Sequence, residues 1–152
     1  MGLIFNIFLR LAIIYFLGEV LFLPDDPRFA GKAIPIRNLL IVITLSLLFP
    51  FLYFIRKKWA KYPFWLDNLY LSIFTLDMAG NSFNLYDTIY YFDLIPHFHG
   101  SGALAAVFFG AFKLPLLSAV GLANIIHMLL EEMARTNGDV LELGPGVFST
   151  PL

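Results

Sequence analysis

Between residues 3 and 23 the chain is apolar except where Asn6, Arg10 and Glu19 interrupt it. A bilayer's hydrocarbon core is crossed by roughly 20 such residues in a helix. Four comparable runs follow, at about 38–55, 64–83, 94–112 and 116–133. In hydrocarbon each backbone N–H and C=O must bond within the spanning structure, so isolated apolar runs of this length have to be helices. The expected fold class is therefore all-α: a polytopic integral membrane helical bundle of about five transmembrane helices. It forms a single domain over residues 1–152, with 134–152, bearing Gly, Pro and Thr, as a tail outside the spans.

Composition agrees. Hydrophobic residues make up 59% and charged residues 14%, against about 45–50% and about 25% in soluble domains. A soluble globular enzyme and a disordered tail are excluded. With 10 Lys plus Arg against 11 Asp plus Glu, there is no basic surplus to neutralise phosphates, which excludes nucleic acid as a partner. The chain has no cysteine, which removes disulfides, thiolate metal sites and cysteine nucleophiles. The first run is read as a retained helix rather than a signal peptide. No basic cluster precedes it, and Pro24-Asp25-Asp26-Pro27 is a poor cleavage site.

Arg56, Lys57, Lys58 and Lys61 form the densest basic stretch. Basic residues in short loops favour the cytoplasm, which places the amino terminus on the cytoplasmic side of the cell membrane and the tail after Met133 on the outside. Arg28, Lys32 and Arg37 vote against this. Pro50 is expected to kink the second span.

With five alternating spans, one membrane face collects Glu19, Asp77, Asn81, Asp93, His97, His99, His127, Glu131 and Glu132. All 3 histidines of the chain are among them. Charged groups are costly in lipid and tend to pair and turn toward the bundle interior. Asp93 and His97 are four residues apart, as are His127 and Glu131, so each pair shares a helix face. Asn124 extends the second stripe by a turn. His99 lies about 200° around the helix from His97 and cannot face the same point. The expected metal ligands are therefore Asp93, His97, His127 and Glu131, with Glu131, Glu132 and Asp93 as candidate catalytic carboxylates and Asp77 and Asp139 as second choices. Imidazole and carboxylate without thiolate suit zinc, manganese, iron or magnesium. The competing reading makes these groups interfacial side chains satisfied by one another and by headgroup water. Neither a P-loop, a nucleotide-binding glycine pattern nor a serine-hydrolase elbow is present.

Blander readings fit the remaining features. Gly102, Ala106 and Gly110 repeat at four-residue steps and are expected to pack helix against helix. Tyr86, Tyr90, Tyr91, Trp59 and Trp65 suit an interfacial aromatic belt. Arg10, inside an apolar run, is expected to pair with an acid or to snorkel.

The segment Asp93-Leu94-Ile95-Pro96-His97-Phe98, followed by Gly100 and Gly102, resembles the Asp-x-x-x-His-Phe signature of the YjdF-like inner-membrane proteins. It is similar, more distantly, to an element of the VanZ-like family. In both, an acidic motif follows on the next helix, a place that Glu131-Glu132 fills, and Gly138-Asp139 matches the Gly-Asp step after it. The likeness covers about residues 64–140. Those families continue into another Asp-rich motif and a further helix, whereas this sequence ends at Leu152. VanZ-like proteins are associated with glycopeptide-antibiotic resistance without an assigned reaction. The resemblance thus implies a fold and candidate residues rather than a substrate.

The expected function is metal-dependent hydrolysis of a lipid or lipid-linked substrate at this polar face. The alternatives are a non-catalytic membrane subunit or assembly factor, and a proton-coupled carrier, which the absence of an internal repeat disfavours. Expected partners are membrane lipids and a helix-packing partner or second copy of the chain.

Overall fold

The computed structural model describes residues 1–29, 34–55, 61–126 and 128–129, and the regular elements among these residues are all helical. In chain order they are α1 (Gly2–Phe22), α2 (Ile34–Ile43), a 3-10 turn (Leu45–Leu47), α3 (Leu48–Ile55), α4 (Phe64–Ser82), the single turn α5 (Leu85–Thr88), α6 (Leu94–Phe112) and α7 (Leu116–Ile126). Among the described residues, three helical stretches are long and apolar enough to cross a membrane: Gly2–Phe22, Ile34–Ile55 and Leu94–Phe112.

α4 is 19 residues long but carries Asp67, Asn68, Ser72, Thr75, Asp77 and Asn81, which lower its apolar character. It sits between α1 and α6, where Asp67 and Asn68 meet α1 and Ser72 meets α6. One core cluster joins Leu9, Ile13 and Phe16 of α1 and Ile41 of α2 to Leu71 and Met78 of α4. A second joins Phe49 of α3 and Val107 and Ala111 of α6 to Leu66 and Tyr70 of α4. α1 and α4 run parallel. Asn6 meets Asp67 and Asn68 near their starts, and the Phe16 and Phe83 rings lie 5.9 Å apart near their ends.

The outward face of α1 exposes Ile4, Phe8, Leu11 and Tyr15, and that of α7 exposes Leu117 and Ile125. Apolar surface this extensive matches hydrocarbon rather than water. Lipid tails are as apolar as leucine, so burying such side chains against one another does little to drive association there. Close packing and interhelical polar contacts must do it.

The second span departs from expectation at its start and follows it at Pro50. The described helix is already formed at Ile34, four residues before Asn38, and it accommodates Pro35 near that end, where a missing N–H leaves nothing unpaired. Its regular hydrogen bonding tightens to the 3-10 turn just before Pro50. The four-residue glycine stripe on α6 also divides. A Cβ on Gly110 would lie 2.8 Å from Leu66 and 3.0 Å from Trp65, whereas one on Gly102 would meet nothing within 4 Å. Close packing holds at Gly110 and fails at Gly102, because there α6 borders an open groove instead of a helix.

α6 ends where Lys113 takes a left-handed backbone, φ 60°, and Leu114 N–H reaches back to the Phe108 carbonyl at 3.4 Å. The chain reverses there through Pro115 into α7, whose Ala119 and Ala123 are fully buried.

Candidate functional site

Asp93 caps the start of α6, and His97 lies one turn on. Their side chains meet, Asp93 Oδ2 to His97 Nε2, at 3.1 Å. Helical spacing puts the two on one face, and Pro96 is tolerated in this first turn because no intrahelical N–H is needed there. Both groups remain partly exposed, 63% for Asp93 and 35% for His97. His97 also lines an open groove of about 530 Å³ between α6 and α7, with Phe98, Ser101, Gly102, Ala105, Val120 and Asn124 as the other walls. The groove is mostly apolar, with His97 and Ser101 on α6 and Asn124 on α7 as its polar points. An imidazole oriented by a carboxylate beside an apolar channel can exchange a proton with a group held there.

His127, Glu131, Glu132 and Asp139, expected to complete this site, lie outside the described residues. Among the described residues no group of three or more His, Asp or Glu side chains gathers where one ion could bind them.

His99 points elsewhere, as its phase on the helix requires. Its Nε2 lies 2.8 Å from Ser72 Oγ of α4, and it lines a different groove, on the α6 flank formed by Leu94, Ile95, Phe98, Gly102 and Ala103.

Among the described residues, the other acids of the expected polar layer, Glu19 and Asp77, do not join Asp93. Glu19 binds Arg28 at 2.8 Å, and Arg28 also grips Asp26 and donates to the Ser82 carbonyl at the end of α4. Hydrogen bonds from the Arg28 side chain, then from its backbone N–H, hold the Asp26 carboxyl down to about 2. Asp77 binds Arg37 at 2.9 Å and accepts from Tyr86 OH at 2.9 Å. Burial first, and the Asp77 charge second, push the Tyr86 phenol above the ordinary tyrosine range. The two arginines that argued against the orientation are thus countercharges for acids on α1 and α4. Asp77, a second choice for the metal site, is engaged in bracing α2 and the α4–α6 connection. Asn81 does not extend that pair through its side chain's acceptor but donates to the Asp77 backbone carbonyl at 2.9 Å.

Among the described residues, the most deeply buried polar side chain, Asp67, was not among the expected site residues. Asp67 is fully buried, and its Oδ2 accepts from Arg10 at 2.7 Å, Asn6 at 2.8 Å and Tyr62 at 2.5 Å. Burial, and then the bond to Asp67, raise the Tyr62 phenol above its ordinary range. Asp67 lies in the first turn of α4, where the helix dipole also favours a carboxylate. The lone arginine in an apolar run was the signal that such a partner had to exist. This network ties α1 to α4 and lies among residues distinct from those lining the groove beside His97.

No family model, curated protein or solved structure matches this chain.

Proposed function

We propose that the chain is a multi-pass protein of the cell membrane, amino terminus in the cytoplasm, and a metal-dependent hydrolase of a lipid or lipid-linked substrate. One observation carries this reading: the Asp93-held imidazole of His97 stands on the wall of an apolar groove open along α6 and α7. A lipid's apolar chain would lie against Phe98, Ala105 and Val120, with its polar linkage beside His97 and Asn124. Asp93 orients the His97 imidazole as a ligand, and the proton released at the linkage goes to a spare carboxylate, Glu132.

Two N/O donors do not make a divalent site, which needs several preorganised ligands. His127 and Glu131 are the residues proposed to join Asp93 and His97, with Glu132 as the spare carboxylate. The ion, when bound, would polarise the scissile linkage and lower the pKa of a water. The resemblance of the Asp93–Phe98 segment to the YjdF-like proteins supports the same residues without supplying a substrate.

The test is metal content and thermal stability of purified wild type, His97→Ala, His99→Ala and His127→Ala, before and after chelation. Stoichiometric metal that is lost in His97→Ala and His127→Ala but kept in His99→Ala supports the proposal. Metal-free wild type, indifferent to chelator and to added zinc, manganese, iron or magnesium, overturns it. The second reading, a non-catalytic subunit or assembly factor, is favoured by one observation: Glu19 and Asp77 are both taken up by arginines, as in a braced scaffold.

A further inference from the structure

Ser72 and His99 come from different helices, 27 residues apart, yet Ser72 Oγ lies 2.8 Å from His99 Nε2. Both side chains are only partly buried. His99 forms part of the wall of a second groove of about 470 Å³, whose other walls, Leu94, Ile95, Phe98, Gly102 and Ala103, are apolar or backbone. The groove is bounded on one side by Gly102, where a side chain would have open space. A hydroxyl within hydrogen-bond reach of an imidazole nitrogen is the arrangement that activates a serine nucleophile. An apolar groove alongside it selects a long hydrocarbon chain.

We propose that Ser72 and His99 form an acyl-transfer pair acting on long-chain carboxylic esters that enter along this flank of α6. The inference is independent of the metal reading, because it uses neither Asp93 nor His97 and needs no ion.

In the structure Ser72 Oγ is also 2.7 Å from the Leu69 carbonyl, to which it donates. With that bond in place His99 Nε2 carries the proton and donates to Oγ. Rotation of the hydroxyl, with the proton of His99 on Nδ1, turns the same contact into Oγ–H to Nε2. From that state Oγ bonds to the ester carbonyl carbon as its proton passes to Nε2. Collapse of the tetrahedral adduct breaks the ester C–O bond, and the proton on Nε2 goes to the departing alkoxide. The products are an alcohol and an acyl-Ser72. Water then attacks the acyl carbon, gives its proton to Nε2, and the serine leaves with that proton, releasing the carboxylic acid. The sum is ester plus water to acid plus alcohol, with no oxidant or reductant.

The pair also bridges α4 and α6, so a structural role must give a different result. The probe is a hexadecyl fluorophosphonate, applied to the full chain in detergent micelles with chelator present, and the adduct is located by peptide mass spectrometry. An adduct on Ser72 in wild type is expected. His99→Gln, whose amide can still donate to Ser72 Oγ but cannot accept and release the proton, should lose the adduct while keeping the wild-type melting temperature. An ethyl fluorophosphonate should react at least about tenfold more slowly, because it leaves the apolar groove unfilled. Folded wild type without an adduct on Ser72, labelling instead at Ser101 or a tyrosine, or equal labelling of His99→Gln would each overturn the proposal. Because the wild-type result alone is decisive, a variant that fails to fold does not remove the test. The metal experiment above can fail without touching this one.

Discussion

Arg10 donates to the backbone carbonyl of Ser46 at 2.6 Å, the carbonyl that Pro50, four residues on, has no N–H to occupy. Proline frees an acceptor in the second span, and a guanidinium from α1, itself held by Asp67 at 2.7 Å, fills it. An unpaired carbonyl inside a bundle costs about 1–3 kcal/mol, so the bond joins α1 to the α2–α3 bend. Pro50→Ala restores a local donor for Ser46. In a double-mutant cycle Arg10→Ala should therefore be less damaging in the Pro50→Ala background, by about 1 kcal/mol. Equal costs in both backgrounds, read from detergent-unfolding curves, would show that the carbonyl does not depend on Arg10.

The Arg10–Asp67 pair makes a sharper forecast. Arg10→Ala leaves the buried Asp67 without its countercharge and should cost about 3–5 kcal/mol, whereas Asp67→Ala should cost less because Arg10 is partly exposed. Replacing both with apolar residues, Arg10→Met with Asp67→Leu, should recover most of that loss, since desolvation offsets much of the pair's attraction. A double variant as unstable as the worse single one would contradict this account.

Glycines on α4 and α6 should behave oppositely. A Cβ on Gly80 would come within 2.5 Å of the Tyr86 ring and 2.6 Å of Phe92, and Tyr86 is anchored on Asp77. Gly80→Ala should cost about 1–3 kcal/mol through overpacking. Gly102→Ala, with open space at its Cβ, should be neutral or stabilise by about 0.5–1 kcal/mol through helix propensity. Thermal melts of the two variants decide it.

Acid should loosen the α1–α2 connection through Asp26. Its folded carboxyl titrates near 2, below the ordinary 3.8, because Arg28 bonds the ionised form. The stabilisation from this pair is complete above pH 3.8 and disappears as pH falls through 2. The pair is reached by solvent, so the effect is small. Wild type and Asp26→Asn should differ in melting temperature at pH 5, and the gap should shrink through pH 2 and close about one unit below it. A gap unchanged between pH 5 and pH 2 would assign it to something other than ionisation.

Sidedness is directly measurable, because the chain has no cysteine. The proposed topology puts Lys61 and Lys113 on one side and Asp87 on the other. Single-cysteine variants at these positions, labelled in sealed vesicles by an impermeant maleimide, should split in that way. Common labelling of all three would dismantle the proposed span count.

Much of the helical framework was legible because it is local. Apolar length defined α1, the α2–α3 run and α6, and the α6 boundaries follow from Asp93 at one end and Lys113-Leu114-Pro115 at the other. The Asp93–His97 pair was legible for the same reason: two side chains four residues apart on a helix have to be neighbours. What only the tertiary structure decided is which polar groups meet across helices. Arg10 required an acid, but nothing within its own run identifies Asp67, 57 residues away. Nor does spacing along one helix divert Asp77 to Arg37, put Ser72 against His99, or open a groove where Gly102 was expected to pack. Those outcomes depend on which helix lies beside which. In an apolar medium the polar contacts and close packing between helices set that arrangement, whereas the hydropathy of each run sets only its length and form.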